Sequence, residues 1–318
     1  MKITVIGCGR WGTFIAGYLS GLGHSVSLYG RQSSENMAAL MRERRNALME
    51  LPRAVRLTTS LDGMKNDDLT VISVGSQGLS ALCAELVAAD AVCGSYVLCM
   101  KGIDANTLER LSEVAQRCLG KDARTAVWLG PGHVEDFCAG IPNCMVIDSE
   151  DEDFKRELVA AFSSPLIRFY YGTDLIGNEV GAASKNVIGI AAGMLDGLGL
   201  SSLKGALMSR GTREMFRLIT AMGGNGLSAY GLCHLGDYEA TVFSPHSHNR
   251  RFGEAFIRGE EYKALAEGYY TALSLHRISE KYGVELPISE TVYRVLYEHA
   301  DVKEELGRLF MRSQKQEF

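Results

Sequence analysis

Met1-Lys2-Ile3-Thr4-Val5-Ile6-Gly7-Cys8-Gly9-Arg10-Trp11-Gly12 opens the chain and carries its most diagnostic pattern. The β-branched run at residues 3–6 predicts a strand, and a helix-compatible run at 13–22 follows it. A Gly-x-Gly-x-x-Gly between strand and helix has a mechanical use. Gly7 permits the tight turn, Gly9 lets the backbone approach a pyrophosphate, and Gly12 permits close helix packing, while the amides at the helix start face phosphates. The hexapeptide alone also fits an ordinary turn in a chain with 35 glycines. Its place at the head of an alternating strand and helix pattern is what points to a dinucleotide.

Working outward, further strands are expected at about residues 25–29, 69–74, 96–100, 126–129 and 144–147, with 167–170 as a candidate last one. Helical segments separate them, as in an α/β Rossmann-type doubly wound sheet. Past Gly172 the strand-like runs vanish and long helical stretches appear, among them 254–282 and 288–310. The expected division is therefore a dinucleotide-binding domain at 1–172 and an all-α substrate-binding and catalytic domain at 173–318. The segment 177–200 is rich in Gly, Ala and Ser. That suits either a helix approached by a ligand or a tight helix crossing.

The composition fits this reading. With 318 residues, 46% hydrophobic and 22% charged, the chain is globular and long enough for two domains. A net charge of −5 gives no broad basic field, so nucleic acid is not an expected partner and any anion site must be local. None of the eight cysteines forms a Cys-x-x-Cys pair, and most lie in apolar runs such as Val97-Leu98-Cys99-Met100, as in a reducing compartment. The amino terminus runs into a strand without a signal-peptide pattern, and no transmembrane segment is expected. A cytoplasmic location follows as an expectation. Apolar residues in the helical segment 284–310 fit a homodimer and fit core burial equally well.

The second strand ends Leu28-Tyr29-Gly30-Arg31-Gln32, without the carboxylate that marks a preference for the unphosphorylated cofactor. Arg31 either pairs with a 2′-phosphate or is a solvated loop arginine; the reading leans to NADP.

Further along occur Lys101-Gly102-Ile103, Gly130-Pro131-Gly132-His133, Ala139-Gly140-Ile141-Pro142, Gly181-Ala182-Ala183-Ser184-Lys185-Asn186-Val187-Ile188, Ser209-Arg210-Gly211, Gly236-Asp237, Asn249-Arg250-Arg251-Phe252-Gly253 and Ala266-Glu267-Gly268. In this order they resemble the bacterial NAD(P)-dependent glycerol-3-phosphate dehydrogenase family across almost the whole chain. The resemblance implies an NAD(P)-dependent oxidoreductase, without metal, that interconverts dihydroxyacetone phosphate and sn-glycerol 3-phosphate for glycerophospholipid synthesis. It also implies an active site in the cleft between the two domains.

Residue roles follow from the same resemblance. Lys185 matches the catalytic lysine; in the otherwise uncharged stretch 180–194 desolvation would lower its pKa toward a useful value, although a lone helical lysine ordinarily snorkels. Asp237 and Thr241 match its companions and share a face if their segment is helical. Lys101, Gly130, Gly132, Asn186, Ser247, His248, Asn249 and Arg250 are implied on the substrate side. Arg10, Trp11, Arg31, Lys101, Val134, His248 and Glu267 join Gly7, Gly9 and Gly12 on the cofactor side.

Three departures stand out. Ser247-His248-Asn249-Arg250-Arg251 replaces Ser-Arg-Asn-Arg-Arg, so a phosphate-binding arginine gives way to His248, whose charge varies near neutral pH. Gly130-Pro131-Gly132 replaces Gly-Pro-Ser and removes a hydroxyl, and Val74-Gly75-Ser76 replaces Val-Pro-Ser, which is expected to loosen that turn. Weaker phosphate binding, takeover by Arg250 and a different substrate all remain open. The competing functions are a paralogous dehydrogenase for another small hydroxy or oxo compound, and a nicotinamide-binding protein weakened in catalysis. His246 and His248 form a His-x-His, but no acidic or cysteine partner stands at a convincing metal-ligand spacing.

Overall fold

In the computed structural model, which describes residues 1–314 and 316, β1 (Lys2–Ile6), β2 (Ser25–Tyr29), β3 (Arg56–Thr58), β4 (Leu69–Ile72), β5 (Ser95–Leu98), β6 (Arg124–Leu129), β7 (Asn143–Asp148) and β8 (Ile167–Tyr171) form one sheet. Its order is β3-β2-β1-β4-β5-β6-β7-β8. β1 and β4 bury nearly every side chain, as strands covered by helices on both faces must. The covering helices are α1 (Arg10–Gly21), α2 (Glu35–Glu43), α3 (Leu79–Ala88), α4 (Leu111–Leu119), α5 (Val134–Cys138) and α6 (Glu152–Phe162). Local chemistry sets their ends. Ser34 caps α2 and Asp151 caps α6 by accepting from Met37 N and Phe154 N, with acidic residues in each first turn.

Every expected strand is present, but β3 escaped the sequence reading. It is a three-residue edge strand beginning at an exposed Arg56, too short to carry a period. Pairing is parallel except between β6 and β7, which run antiparallel. The helix joining them, α5, has five residues. It does not carry the chain back across the sheet, so β7 enters from the end at which β6 left it.

Beyond β8 the described residues form helices: α7 (Leu175–Gly197), α8 (Lys204–Ala221), α9 (His248–Arg258), α10 (Glu267–Tyr282), α11 (Pro287–Tyr297) and α12 (Val302–Phe310). The two long expected stretches are each broken once. Gly259 leaves α9 in the left-handed conformation at φ 68°, and α12 restarts after His299 at φ 56° with Asp301 as its cap. The 23-residue α7 is the axis of this half and is buried along almost its whole length. Its small residues belong to a tight crossing: a Cβ at Gly193 would strike the Arg250 carbonyl, and one at Gly253 the Ile190 carbonyl.

Apolar clusters cover both faces of the sheet, and a third fills the helical half. The cluster around Ile72 and Leu98 continues into Leu175, Ala182 and Cys233, so the two halves share a core. A buried ion pair reinforces the joint. Arg110 Nη1 donates to Glu179 Oε2 at 2.7 Å, and the Ser112 amide and hydroxyl donate to the same carboxylate at 2.9 and 2.6 Å. No described helix is long and apolar enough to cross a membrane.

Candidate active site

The chain reverses direction across the sheet between β1 and β4, and ligands of open α/β sheets bind at the carboxyl ends of such strands. Gly7 leaves β1 at φ 115°, and a Cβ there would strike the Ser73 carbonyl; one at Gly12 would strike the Gly7 carbonyl. By contrast, nothing lies within 4 Å of a Cβ built on Gly9. Gly9 is the N-cap of α1, which has no side-chain cap and no acidic residue in its first turn. Its amides suit an anion.

A cleft of about 350 Å³ continues from this turn, lined among others by Gly7, Cys8, Gly30, Arg31, Gly75 and Glu267. Bare helix amides, an open Gly9 and the adjoining cleft fit a dinucleotide. Arg31 stands at the rim, exposed and 2.8 Å from Glu85. Glu267, first residue of α10, accepts hydrogen bonds from the Ser76 amide at 3.0 Å and from the Ser76 hydroxyl; burial raises its carboxyl above the usual range. The turn after β4 is therefore pinned across the cleft, not loosened by Gly75.

The Trp11 indole stacks on Phe14 and packs near Trp128 and Phe137, so a bound molecule would meet its backbone more readily than its ring. Val134 is buried at the start of α5. Arg10 forms an ion pair with Glu135, and its Nη1 lies 3.5 Å from His248 Nε2 of α9. Burial would raise the Glu135 carboxyl, but its own amide and Arg10 outweigh that and hold it low.

Deeper in lies a charged cluster. Lys185, mid-way along α7 and 6% exposed, has Nζ 2.5 Å from Asp237 Oδ2 and donates to Thr241 Oγ1 at 2.9 Å. Lys101, beyond β5, donates to Asp237 Oδ2 at 2.6 Å and to the Gly130 carbonyl at 2.9 Å. Asp237 and Thr241 meet not on a regular α-helix but through a 3₁₀ turn, Leu235–Asp237, and the π-helical turn Glu239–Phe243, where the Thr241 hydroxyl donates to the Asp237 carbonyl at 2.8 Å. Burial drives the Lys185 amine down to about 7, against the pull of Asp237 and with help from Lys101. An amine titrating there can exchange a proton near neutral pH.

Around this cluster the remaining sequence candidates divide. Asn186 and Asn249 form a relay: Asn249 Nδ2 donates to Asn186 Oδ1 at 2.9 Å and Asn249 Oδ1 accepts from the Gly268 amide at 2.9 Å. Ser247 caps α9. Arg250 is engaged elsewhere, donating to Asp196 at 2.6 Å and to the Ser244 carbonyl at 3.1 Å, which ties α9 to the end of α7. His248 Nδ1 lies 2.7 Å from the Tyr262 hydroxyl, and burial together with Arg10 pushes its pKa down. It stands between Arg10 and Tyr262 as a ring whose neutral form is favoured. Gly132 is closed off by Phe137, 2.7 Å from where a Cβ would stand.

Sequence reasoning missed Glu135 and Tyr262, and it gave no role to Ser76 and His133, which lie inside quoted motifs but carried no spacing signal. A larger cavity of about 740 Å³ lies between α7, α8, α11 and α12. Its lining mixes Leu, Ile, Val and Met side chains with four arginines, and it has no part of the glycine turn that the smaller cleft adjoins. Chemistry, not size, marks the site.

Comparison with known proteins gives the family. Residues 2–155 match the N-terminal model of NAD-dependent glycerol-3-phosphate dehydrogenase, and residues 174–307 match the C-terminal one. The chain is 36% identical to the glycerol-3-phosphate dehydrogenase (NAD(P)+) of Thermus thermophilus, covering 100% of both, and 33% identical to that of Fusobacterium nucleatum, covering 100% of this chain and 98% of the relative. Among solved structures, glycerol-3-phosphate dehydrogenase from Coxiella burnetii superposes with a TM-score of 0.91 at 27% identity, over 98% of this chain and 99% of that one. A ketopantoate reductase from Ralstonia eutropha, at 14% identity and a TM-score of 0.65, shares the fold alone.

Proposed function

Since the chain belongs to the NAD-dependent glycerol-3-phosphate dehydrogenase family, we infer that it is an oxidoreductase performing the reversible NAD(P)H-dependent reduction of dihydroxyacetone phosphate to sn-glycerol 3-phosphate. The observation that carries the reading is the buried Lys185 amine, held by Asp237 and Thr241. Reduction of a ketone leaves charge on the carbonyl oxygen that a donor must neutralise. Lys185 donates that proton. Asp237 and Thr241 fix the direction of its N–H bonds, and Lys101, sharing the Asp237 carboxylate, adds positive charge beside the substrate.

A nicotinamide cofactor supplies the hydride when bound. The residues that hold it are the turn at Gly7, Gly9 and Gly12, the amides of Arg10 and Trp11, Val134, and the pair Ser76 and Glu267 that closes the groove. Arg31 lines the cleft at the end of β2, where the sequence Tyr29-Gly30-Arg31-Gln32 has no carboxylate of its own; this supports NADP as the preferred form, with Arg31 exchanging its ion pair with Glu85 for the 2′-phosphate. The substrate phosphate is received by Asn249 and Asn186 with His248 and the α9 amides that follow Ser247; Arg250, held by Asp196, takes no part. Residues 1–172 bind cofactor and 173–318 supply Lys185 and the phosphate ligands.

We further place the protein in the cytoplasm as a homodimer feeding glycerophospholipid synthesis. Support for the first is that all eight cysteines are unpaired thiols; for the second, that Phe310 and Met311 lie exposed at the end of α12. The experiment that tests the function is oxidation of NADPH and NADH with dihydroxyacetone phosphate. Turnover of either cofactor is expected, and none with both would overturn the assignment.

A further inference from the structure

Two buried polar atoms beside the Lys185 cluster have no hydrogen-bond partner: Asp237 Oδ1 and His133 Nε2. Groups left so are costly, and such pairs mark places kept for a ligand or a water. The path to His133 is short. The Gly130 carbonyl is tied to Lys101, Lys101 to Asp237, and the chain then turns through Pro131 and Gly132 into the N-cap of α5, which His133 occupies without making a side-chain cap.

From there its ring feels the charges of both Lys185 and Asp237, and it lies edge-on to His246 with centroids 6.4 Å apart. Burial, then Lys185, lowers its pKa, so the imidazole is neutral at pH 7, with one nitrogen a donor and the other an acceptor. A carboxylate oxygen only accepts. With the proton on Nε2, a hydroxyl satisfies both atoms together, accepting from the ring N–H and donating to Asp237 Oδ1, and in doing so it displaces a water that could bridge them. Residue 132 offers no competing side-chain hydroxyl, because glycine stands there against Phe137.

We propose that His133 is a substrate-positioning residue that, with Asp237 Oδ1, holds the primary hydroxyl of the hydroxymethyl ketone while Lys185 faces its carbonyl oxygen. The inference rests on the function assigned above and adds a specificity determinant to it. It assigns to the imidazole the selection of a hydroxymethyl over a methyl group.

The test compares dihydroxyacetone phosphate with acetol phosphate, the same phosphorylated ketone bearing a methyl in place of the hydroxymethyl group. The wild type is expected to prefer the former in kcat/KM by about 10²-fold or more. His133→Ala is expected to lower kcat/KM for dihydroxyacetone phosphate by about 10- to 100-fold and to leave acetol phosphate within about threefold. His133→Gln, whose amide nitrogen reaches the Nε2 position, is expected to keep most of the preference. Should the alanine variant fail to fold, His133→Asn serves instead, since its shorter amide does not reach. Equal losses on the two ketones, no loss on the hydroxylated one, or Asn behaving like Gln would each overturn the proposal. A wild type that reduces neither ketone removes the assigned function first, a result distinct from parallel losses in a working enzyme.

Discussion

Lys185 Nζ lies 2.5 Å from Asp237 Oδ2 with both side chains almost wholly withdrawn from solvent. The pair joins the middle of α7 to the 3₁₀ turn Leu235–Asp237, and Lys101 completes it from beyond β5. With Lys185 protonated, two cations share one carboxylate and the triad is net positive where a carbonyl oxygen must develop negative charge.

Replacing Lys185 by alanine removes the proton donor without touching the glycine turn. Turnover of dihydroxyacetone phosphate is expected to fall by about 10³-fold or more, while cofactor affinity, read by NADPH fluorescence titration, stays within about threefold of wild type. Unchanged kcat would remove Lys185 from the chemistry.

The pH profile follows from the Lys185 amine titrating near 7. Reduction needs its protonated form, so kcat/KM for the ketone is expected to be full below that value and to decline as pH rises through it. Oxidation of sn-glycerol 3-phosphate needs the neutral amine and is expected to rise over the same window. Asp237 opposes the burial effect, so Asp237→Asn is expected to move both limbs toward acid pH. Limbs that stay in place would separate them from Lys185.

Gly9 and Gly12 give opposite outcomes from the same substitution. Gly9→Ala meets no neighbour, so stability is expected to change by less than about 0.5 kcal/mol, while the cofactor Kd rises roughly tenfold or more as the methyl holds off the pyrophosphate. Gly12→Ala drives a methyl into the Gly7 carbonyl and is expected to cost about 1–3 kcal/mol of folding stability in a urea titration. Equal cofactor affinity in Gly9→Ala and wild type would argue against a bound pyrophosphate at this turn.

Arg31→Ala tests cofactor choice. Loss of one charge-assisted contact to a 2′-phosphate is expected to lower kcat/KM for NADPH about tenfold and leave NADH nearly unchanged. Parallel effects on both cofactors would place Arg31 in its ion pair with Glu85 alone.

Arg110→Ala leaves the Glu179 carboxylate buried without its counter-charge. A loss of about 3–5 kcal/mol is expected in chemical denaturation. A loss below 1 kcal/mol would show that Ser112 alone satisfies that carboxylate.

The alternating pattern of the first half, the glycine turn at its head and the change of texture after Gly172 were legible from residue order alone, because strand period, glycine freedom and helical runs are local properties of neighbouring residues. The sequence also carried the motifs around Lys185 and Asp237. Where it fell short, the missing information was remote in the chain. β3 is too short to show a period, the direction of β7 depends on how far α5 carries the chain, and Gly75 lies in a turn tied down by Glu267 from α10. Only the tertiary structure decided that Arg250 is spent on Asp196, that His248 faces Arg10 and Tyr262, and that His133 brings a buried ring nitrogen beside the Lys185 cluster without a partner. A side chain's hydrogen-bond partner and its desolvation are set by whatever the fold brings against it, and residue type alone carries neither.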